Sequence, residues 1–269
     1  MNPSRKAMLA EMGFSPLWVR RDVPPVARRT KEAVETRAVE TRTVNTPPPD
    51  DRPAAVALSP GKARPAGMPE TVGRSGVAGI GWEELRRTIL DCRACGLCAQ
   101  RKQAVPGVGD ENAAWLFIGE APGAEEDARG EPFVGQAGRL LDAMLAAIGL
   151  ARGEDVYIAN AVKCRPPGNR TPENVEMAAC FPYLKRQIAL IRPRLIVLLG
   201  RAAVNAVLGR EGSLASLRGK TLGYRDGDHE IPVLATYHPA YLLRNLPDKA
   251  KAWEDLCRAR TLMRSLSGT

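Results

Sequence analysis

The chain has 269 residues, of which 44% are hydrophobic and 26% are charged, a composition typical of a globular protein with one substantial domain and room for a tail. No apolar run reaches the roughly 18 residues that a membrane helix needs, and no secretory signal opens the sequence, so we expect a cytoplasmic protein. The formal net charge of +9 favours a polyanionic partner, with nucleic acid the first candidate. Only two histidines occur, His229 and His238, which excludes a site built from several imidazoles.

Residues 1–80 differ in composition from the rest of the chain. They contain 11 of the 22 prolines, and their 13 Lys and Arg against 8 Asp and Glu give +5 of the net charge. This composition predicts a largely disordered basic arm, followed by one folded domain over residues 81–269. An apolar cluster within residues 5–21 has two interpretations. It is either a short helix that packs on the main domain or a linear motif that docks another protein or DNA.

From Gly81 onward, predicted strands alternate with predicted helices. The strands are residues 114–118, 156–162, 195–199 and 231–236, and the helices are residues 137–150, 172–191, 201–208 and 247–266. This alternation predicts an α/β domain with a parallel sheet covered by helices on both faces. In such sheets the ligand crevice lies beyond the carboxyl ends of the strands, so functional residues are expected directly after each strand.

The segment Gly119–Gly123, with the sequence GEAPG, follows the first predicted strand. Its glycines and proline favour a tight turn that can approach a ligand closely. Glu120 is expected to project into the crevice, where a carboxylate can orient water or stabilise a cation. The same turn could simply cap a helix, and it lacks the Lys and Ser or Thr of a phosphate-binding loop.

Polar residues also follow two further predicted strands. Asn160 ends the second strand, and its carboxamide can donate to and accept from one nucleobase edge, although an Asn here can also simply end the sheet. His238 follows the fourth strand and precedes Pro239, which fixes the turn. The apolar residues and Arg244 that come next suggest a segment that inserts into DNA and contacts a phosphate.

The six cysteines are Cys92, Cys95, Cys98, Cys164, Cys180 and Cys257. In a reducing cytosol such clustered cysteines indicate metal binding or catalysis before disulfides. Two pairs stand out, Cys92-x2-Cys95 and Cys164-x15-Cys180, and four thiolates suit either zinc or a [4Fe–4S] cluster. The spacing does not separate the two metals. Cys98 is a rival for one ligand position, whereas Cys257 is expected in the core.

Four segments together resemble one known family. They are Cys92–Arg101 (CRACGLCAQR), Gly119–Gly138 (GEAPGAEEDARGEPFVGQAG), Tyr157–Pro167 (YIANAVKCRPP) and His238–Asn245 (HPAYLLRN). In their order and motifs they resemble the iron–sulfur uracil-DNA glycosylases, family 4 of the uracil-DNA glycosylase superfamily. The resemblance spans roughly residues 85–265 and leaves the basic arm outside.

The resemblance implies a DNA-repair hydrolase that excises uracil from DNA and leaves an abasic site. It implies a three-layer α/β/α domain with a central four-stranded parallel sheet. It further implies that Cys92, Cys95, Cys164 and Cys180 hold a [4Fe–4S] cluster with a structural role. The substrate would be uracil-containing DNA, and a monomer is the default expectation.

Site roles follow from the resemblance residue by residue. Phe133 would stack on the flipped uracil, and Asn160 would recognise its O4 and N3–H. His238 would stabilise the negative charge that develops on uracil O2. Glu120 would position the attacking water or support the oxocarbenium character of the sugar, with Glu126 and Asp127 as alternatives. Two further substrate contacts and three DNA contacts are implied: Ala121 and Gly123 at the base, and Leu242, Leu243 and Arg244 at the DNA.

Ala121 and Gly123 mark a departure from the better-known branch of the superfamily, which has an Asp and a Tyr at these positions. The usual general base and the ring that excludes the methyl group of thymine are therefore absent. Thymine must then be excluded elsewhere in the pocket, with Phe133 and the backbone of Glu120 as candidates.

Two other functions are compatible with parts of the sequence. A non-catalytic nucleic-acid-binding module with a cysteine metal site explains the charge and the thiols, but not the chemistry of the residues after the strands. A relative that binds uracil-DNA covalently through a histidine in an inserted basic loop is disfavoured, because the loop after Arg165 contains no histidine.

Overall fold

The computed structural model describes residues 76–209, 212–227 and 229–267. The predicted disordered arm lies outside these residues, apart from its last few positions. The predicted helix or docking motif within residues 5–21 lies outside them entirely.

Strands and helices alternate as predicted, with ends that differ by a few residues. The strands are β1 Val108–Gly109, β2 Trp115–Gly119, β3 Val156–Asn160, β4 Leu195–Leu199, β5 Leu222–Asp226 and β6 His229–Thr236. The helices are α1 Trp82–Leu90, α2 Ala124–Arg129, α3 Gln136–Ala147, α4 Asn174–Ile191, α5 Arg201–Leu208, α6 Leu214–Leu217, α7 Pro239–Arg244 and α8 Lys249–Ser267. Short 3-10 helices occupy Gly96–Ala99, Pro167–Asn169 and Leu246–Asp248. None of the helices in these described ranges combines the length and apolarity needed to cross a bilayer.

The sheet has six strands in the order β1-β3-β2-β4-β6-β5, which corrects the expectation of a four-stranded parallel sheet. The central strands β3, β2, β4 and β6 pair in parallel, whereas β1 and β5 are antiparallel strands at the two ends. Neither end strand carries a strong sequence signal. β1 has only two residues, and β5 is mostly half-buried or exposed, so it lacks the apolar run of the central strands.

The central strands are apolar because both faces of the sheet are covered. In β2, Trp115 and Phe117 pack into one core with α3, α7 and α8. Leu116 and Ile118 point to the opposite face and pack into a second core with α4 and α5. The period of two along a strand produces this division, and helices on both faces make three layers.

A third core cluster joins the start of the described domain to the cysteine-bearing segments. Val77, Leu85 and Ile89 are buried in it together with Cys164 and Cys180. This cluster packs the start of the described domain against Val162 and Cys164, which follow β3.

Candidate active site

A large cavity lies beyond the carboxyl ends of the four parallel strands. Its volume is about 910 Å³. Each parallel strand contributes to it: Glu120 follows β2, Asn160 ends β3, Gly200 follows β4 and His238 follows β6. The structure therefore brings the predicted crevice residues into one cavity, where the carboxyl ends of parallel strands meet.

Phe133 lies in the cavity wall next to His238. Its side chain is buried, and its ring centroid is 5.4 Å from that of the imidazole. Its backbone φ is 55°, a left-handed conformation that non-glycine residues rarely adopt. The ring fits because Gly119 has no side chain: a Cβ there would lie 2.5 Å from Cζ of Phe133. At Gly138 a Cβ would meet the Phe133 carbonyl oxygen at 1.7 Å.

Arg152 holds the Phe133 turn from the carbonyl side. Its guanidinium donates to the carbonyl oxygen of Pro132 at 2.9 Å and to that of Phe133 at 2.7 Å. It also pairs with Asp142 of α3 at 2.9 Å. These bonds fix a strained backbone conformation that would otherwise relax.

Glu126 holds the same turn from the amide side. Its Oε1 accepts hydrogen bonds from the backbone amides of Val134 and Gly135, and its Oε2 accepts one from that of Gly123. The other alternative acid, Asp127, is buried and accepts from the backbone amide of Lys102 at 2.8 Å. Both carboxylates are thus engaged by backbone amides.

Asn160 is 2% exposed, and its Oδ1 has no hydrogen-bond partner among the described residues. The atom lies next to Gly119. A Cβ added to that glycine would clash both with this oxygen and with the ring of Phe133. A buried carbonyl oxygen without a partner costs free energy unless a ligand donates to it. Asn160 therefore presents an acceptor to a ligand that carries an N–H group.

His238 is held as a neutral imidazole. Burial, and to a smaller extent the nearby charge of Arg244, lower its pKa to about 4, although Glu126 acts in the opposite direction. Its Nδ1 accepts a hydrogen bond from the backbone amide of Ala240 at 3.2 Å, at the start of α7. Because one nitrogen accepts, the proton of the neutral ring is on Nε2, which can donate into the cavity.

Glu120 lies half-buried in the cavity wall. Burial raises the pKa of its carboxyl group, while a hydrogen bond from Thr171 and the charge of Arg201 oppose this shift. Among the described residues, no backbone amide donates to its carboxylate as three do to that of Glu126, so it is the better placed acid for contact with a ligand.

The segment after His238 divides between core and surface. Leu242 is fully buried in the first core, which conflicts with the prediction that it contacts DNA. The physical reason is that this residue lies on the face of α7 that packs into the core. Leu243 is 38% exposed and Leu246 is 56% exposed, while Arg244 is exposed and lines the cavity.

Four cysteines line a second, much smaller cavity at the third core cluster. They are Cys92, Cys95, Cys164 and Cys180. Burial raises the pKa of Cys164 to about 11 and that of Cys180 to about 12. Cys98, in the neighbouring 3-10 helix, does not line this cavity.

Hydrogen-bond donors surround the sulfurs of this second cavity. Arg101 Nη1 lies 2.9 Å from Cys164 Sγ, and the backbone amide of Lys163 lies 3.2 Å from Cys180 Sγ. Such donors stabilise thiolate over thiol. Within residues 76–209, 212–227 and 229–267, no group of three or more His, Cys, Asp or Glu side chains is placed to hold a single metal ion.

The sequence reasoning missed Arg201, Thr171 and Arg152. Arg201 could have been found, because it follows a buried strand and a glycine, as Glu120 does. Thr171 and Arg152 carry no such signal, since they act from loops whose course depends on the tertiary fold.

Comparison with known proteins identifies similar sequences over the same region. Residues 106–257 match a family model described as the uracil DNA glycosylase superfamily. A type-4 uracil-DNA glycosylase of Sulfurisphaera tokodaii is 45% identical, over 64% of this chain and 80% of the relative. One of Archaeoglobus fulgidus is 46% identical, over 60% of this chain and 82% of the relative. One of Thermotoga maritima is 42% identical, over 68% of this chain and 94% of the relative.

Proposed function

The chain belongs to the uracil DNA glycosylase superfamily, with type-4 enzymes among its relatives, and we propose that it hydrolyses the N-glycosidic bond of uracil in DNA and leaves an abasic site. It is a monofunctional DNA glycosylase of base excision repair. The observation that carries the assignment is the buried Oδ1 of Asn160, which has no partner within the described part of the chain and lies beside Phe133 in a cavity that His238 also lines.

Asn160 and Phe133 would select the base. Uracil has an N–H at position 3 and a carbonyl at position 4, so Asn160 Oδ1 can accept from N3–H while its Nδ2 donates to O4. Cytosine has an acceptor at position 3 and a donor at position 4. Its position 3 would therefore face the acceptor Oδ1, and its position 4 would face the donor Nδ2. The ring of Phe133 would stack on the flipped base, and Ala121 and Gly123 line the cavity without bulk.

His238 would stabilise the leaving group. As the glycosidic bond breaks, negative charge develops on uracil O2, and the Nε2–H of a neutral imidazole can donate to that oxygen. The backbone amide of Ala240 fixes the orientation of the ring. A neutral donor held in place before the reaction needs no reorganisation during bond cleavage.

Glu120 would act on the sugar side of the reaction. Its carboxylate can orient the attacking water and stabilise positive charge on the deoxyribose. Glu126 accepts from backbone amides of the Phe133 turn and Asp127 from the backbone amide of Lys102, so both carboxylates hold backbone segments instead.

Leu243 and Arg244 would contact the DNA next to the flipped nucleotide. An exposed leucine can fill the gap in the base stack, and an exposed arginine can bind a backbone phosphate. The basic N-terminal arm, residues 1–80, would add affinity for DNA or dock a partner protein, and residues 81–269 would form the catalytic domain.

Cys92, Cys95, Cys164 and Cys180 would hold a [4Fe–4S] cluster. Four thiols around one cavity form the ligand set of such a cluster. The bound irons would supply positive charge that keeps the buried thiols deprotonated and so join the segments that carry them. A cytoplasmic monomer is the simplest form of this enzyme.

The direct test is cleavage of a labelled oligonucleotide with one uracil, with a matched thymine-containing strand as the control. After hot alkali we expect a strand break at the uracil alone. A brown protein that binds the DNA but leaves both strands intact would instead be a non-catalytic nucleic-acid-binding module, and the roles of Glu120 and His238 would then be withdrawn.

A further inference from the structure

Lys163 is a buried charged residue that has no role in the catalytic mechanism proposed above. It is 1% exposed, although lysine is among the residue types that are almost never fully buried. It lies between Asn160 and Cys164, so it separates the base-recognition residue from a cysteine of the second cavity. Burial of a charged side chain costs free energy unless the charge is hydrogen-bonded. The hydrogen bonds of Lys163 therefore indicate which segments it holds together.

The side chain of Lys163 donates two hydrogen bonds. Its Nζ lies 2.9 Å from the backbone carbonyl oxygen of Asn160 and 2.6 Å from Oε1 of Gln187 on α4. The carbonyl of Asn160 belongs to the last residue of β3, where the chain leaves the sheet. A bond to it fixes the backbone from which the carboxamide projects into the cavity.

Gln187 anchors this arrangement to the rest of the fold. Its Nε2 donates to the carbonyl oxygen of Pro106 at 2.8 Å and lies 3.3 Å from the hydroxyl of Tyr157. Gln187 and Cys180 are both buried residues of α4. Helix α4 therefore contacts Lys163 twice, because the backbone amide of Lys163 also donates to Cys180 Sγ.

We propose that Lys163 is a positioning residue that fixes Asn160 for uracil recognition and links it to the helix that carries Cys180. Its backbone lies against the cysteine cavity, and its side chain holds the base-recognition residue. The inference rests on the proposed function, because it assigns a role in recognition of the same base.

The test is a double-mutant cycle between Lys163 and Asn160 in the full-length protein. Lys163→Met keeps the length of the side chain and removes both donated bonds. We expect it to lower kcat/KM for uracil excision by about tenfold or more, the scale of a lost charged hydrogen bond. In the Asn160→Ala background the same substitution should change the rate less than about twofold, because Lys163 acts through Asn160.

Iron content, visible absorption and the unfolding midpoint are measured on each variant. Lys185→Met, which replaces an exposed lysine of α4, is the matched control and should behave as the wild type. If Lys163→Met loses its iron, Gln187→Met takes its place in the cycle, because it removes the anchor and leaves the Lys163 backbone unchanged. Wild-type activity in the substituted protein, or equal losses in both backgrounds, would overturn the proposal.

The activity of the wild-type protein distinguishes a failure of the proposed function from a failure of the role proposed for Lys163. If the wild-type protein releases no uracil, the proposed function fails, whatever Lys163 does. If it releases uracil and the cycle is additive, only the role of Lys163 fails.

Discussion

His238 shows how a short segment sets the chemical state of one side chain. Burial depresses its pKa, and the amide of Ala240 occupies Nδ1, so that the ring is neutral with a proton on Nε2. The active form should therefore persist well below the pH at which an ordinary histidine becomes charged. Only one other histidine occurs, which makes the state of this ring accessible to spectroscopy.

We expect the imidazole of His238 to stay neutral as the pH falls from 7 to about 5, since its folded pKa is about 4 and the ordinary value is 6.5. Between these values the unfolded chain binds the proton and the folded protein does not, so this residue makes stability fall as the pH is lowered. Nitrogen-15 NMR of the two histidine rings measures the ionisation and the tautomer, and His229→Gln assigns the signals. A His238 ring that titrates near pH 6.5 would contradict the neutral-donor mechanism.

His238→Ala should lower the rate of uracil excision by roughly two to three orders of magnitude, the effect of removing one oxyanion donor. Affinity for uracil-containing DNA should change little, because the donor acts mainly in the transition state. Single-turnover kinetics and equilibrium binding measure the two quantities. Excision at the wild-type rate would remove His238 from the mechanism.

Arg152→Met tests whether the strained turn at Phe133 depends on its guanidinium bonds. We expect kcat/KM for uracil to fall roughly ten- to a hundredfold, as a loss of about 1.5–3 kcal/mol would give. Arg139→Met, which replaces an exposed arginine of α3, is the control and should retain wild-type kinetics. Equal kinetics in the two variants would mean that the Phe133 turn holds its conformation without Arg152.

At the scale of secondary-structure elements, α7 shows how one short helix serves two functions. Leu242 packs into the first core, and Leu243, the next residue, is exposed on the surface. Adjacent positions of a helix face different directions, so one leucine supports the fold and the other is free to contact a ligand.

The two leucines should respond differently to truncation. Leu242→Ala should lower the free energy of unfolding by about 2–5 kcal/mol, the usual cost of a large-to-small change in a core. Leu243→Ala should leave stability nearly unchanged and slow excision from duplex DNA more than from single-stranded DNA. Thermal unfolding and parallel assays on both substrates measure this. A stability loss at Leu243 or a duplex-specific defect at Leu242 would reverse the assignment.

The sequence predicted the central strands because their burial on two faces leaves a continuous apolar run, as in Leu195–Leu199. It did not predict β5, where the run Leu222–Asp226 contains a glycine, an arginine and an aspartate. It also placed Leu242 at the DNA, because a run of apolar residues before Arg244 does not reveal which of them faces the core. The roles of Arg152 and Lys163 depend on contacts between distant segments, which no local pattern contains.

For the whole molecule, the second cavity joins three distant parts of the chain. Cys92 and Cys95 come from the segment after α1, Cys164 from the turn after β3, and Cys180 from α4. A cluster held by these residues would connect segments that flank the active-site cavity. Asn160 precedes Cys164 by four residues and Thr171 lies between Cys164 and Cys180 in the sequence, and both line that cavity.

Cys164→Ser should remove the absorption near 400 nm (roughly the region of thiolate-bound iron–sulfur clusters) and lower the iron content and the unfolding midpoint. Cys98→Ser should retain both, because Cys98 does not line the cavity. Iron analysis and visible spectroscopy of the two purified variants measure the difference. A loss of iron in Cys98→Ser alone would exchange the ligand assignment of the two cysteines.

The strands at the two edges of the sheet affect the tendency of the protein to aggregate at high concentration. β1 is only two residues long, and on β5 the exposed Arg225 lies opposite the exposed Glu230 of β6. A very short strand offers few unpaired backbone groups, and charged side chains on an edge disfavour pairing with an apolar strand of another molecule, because the charges would lose their hydration. The two antiparallel strands therefore protect a highly apolar parallel sheet against edge-to-edge aggregation.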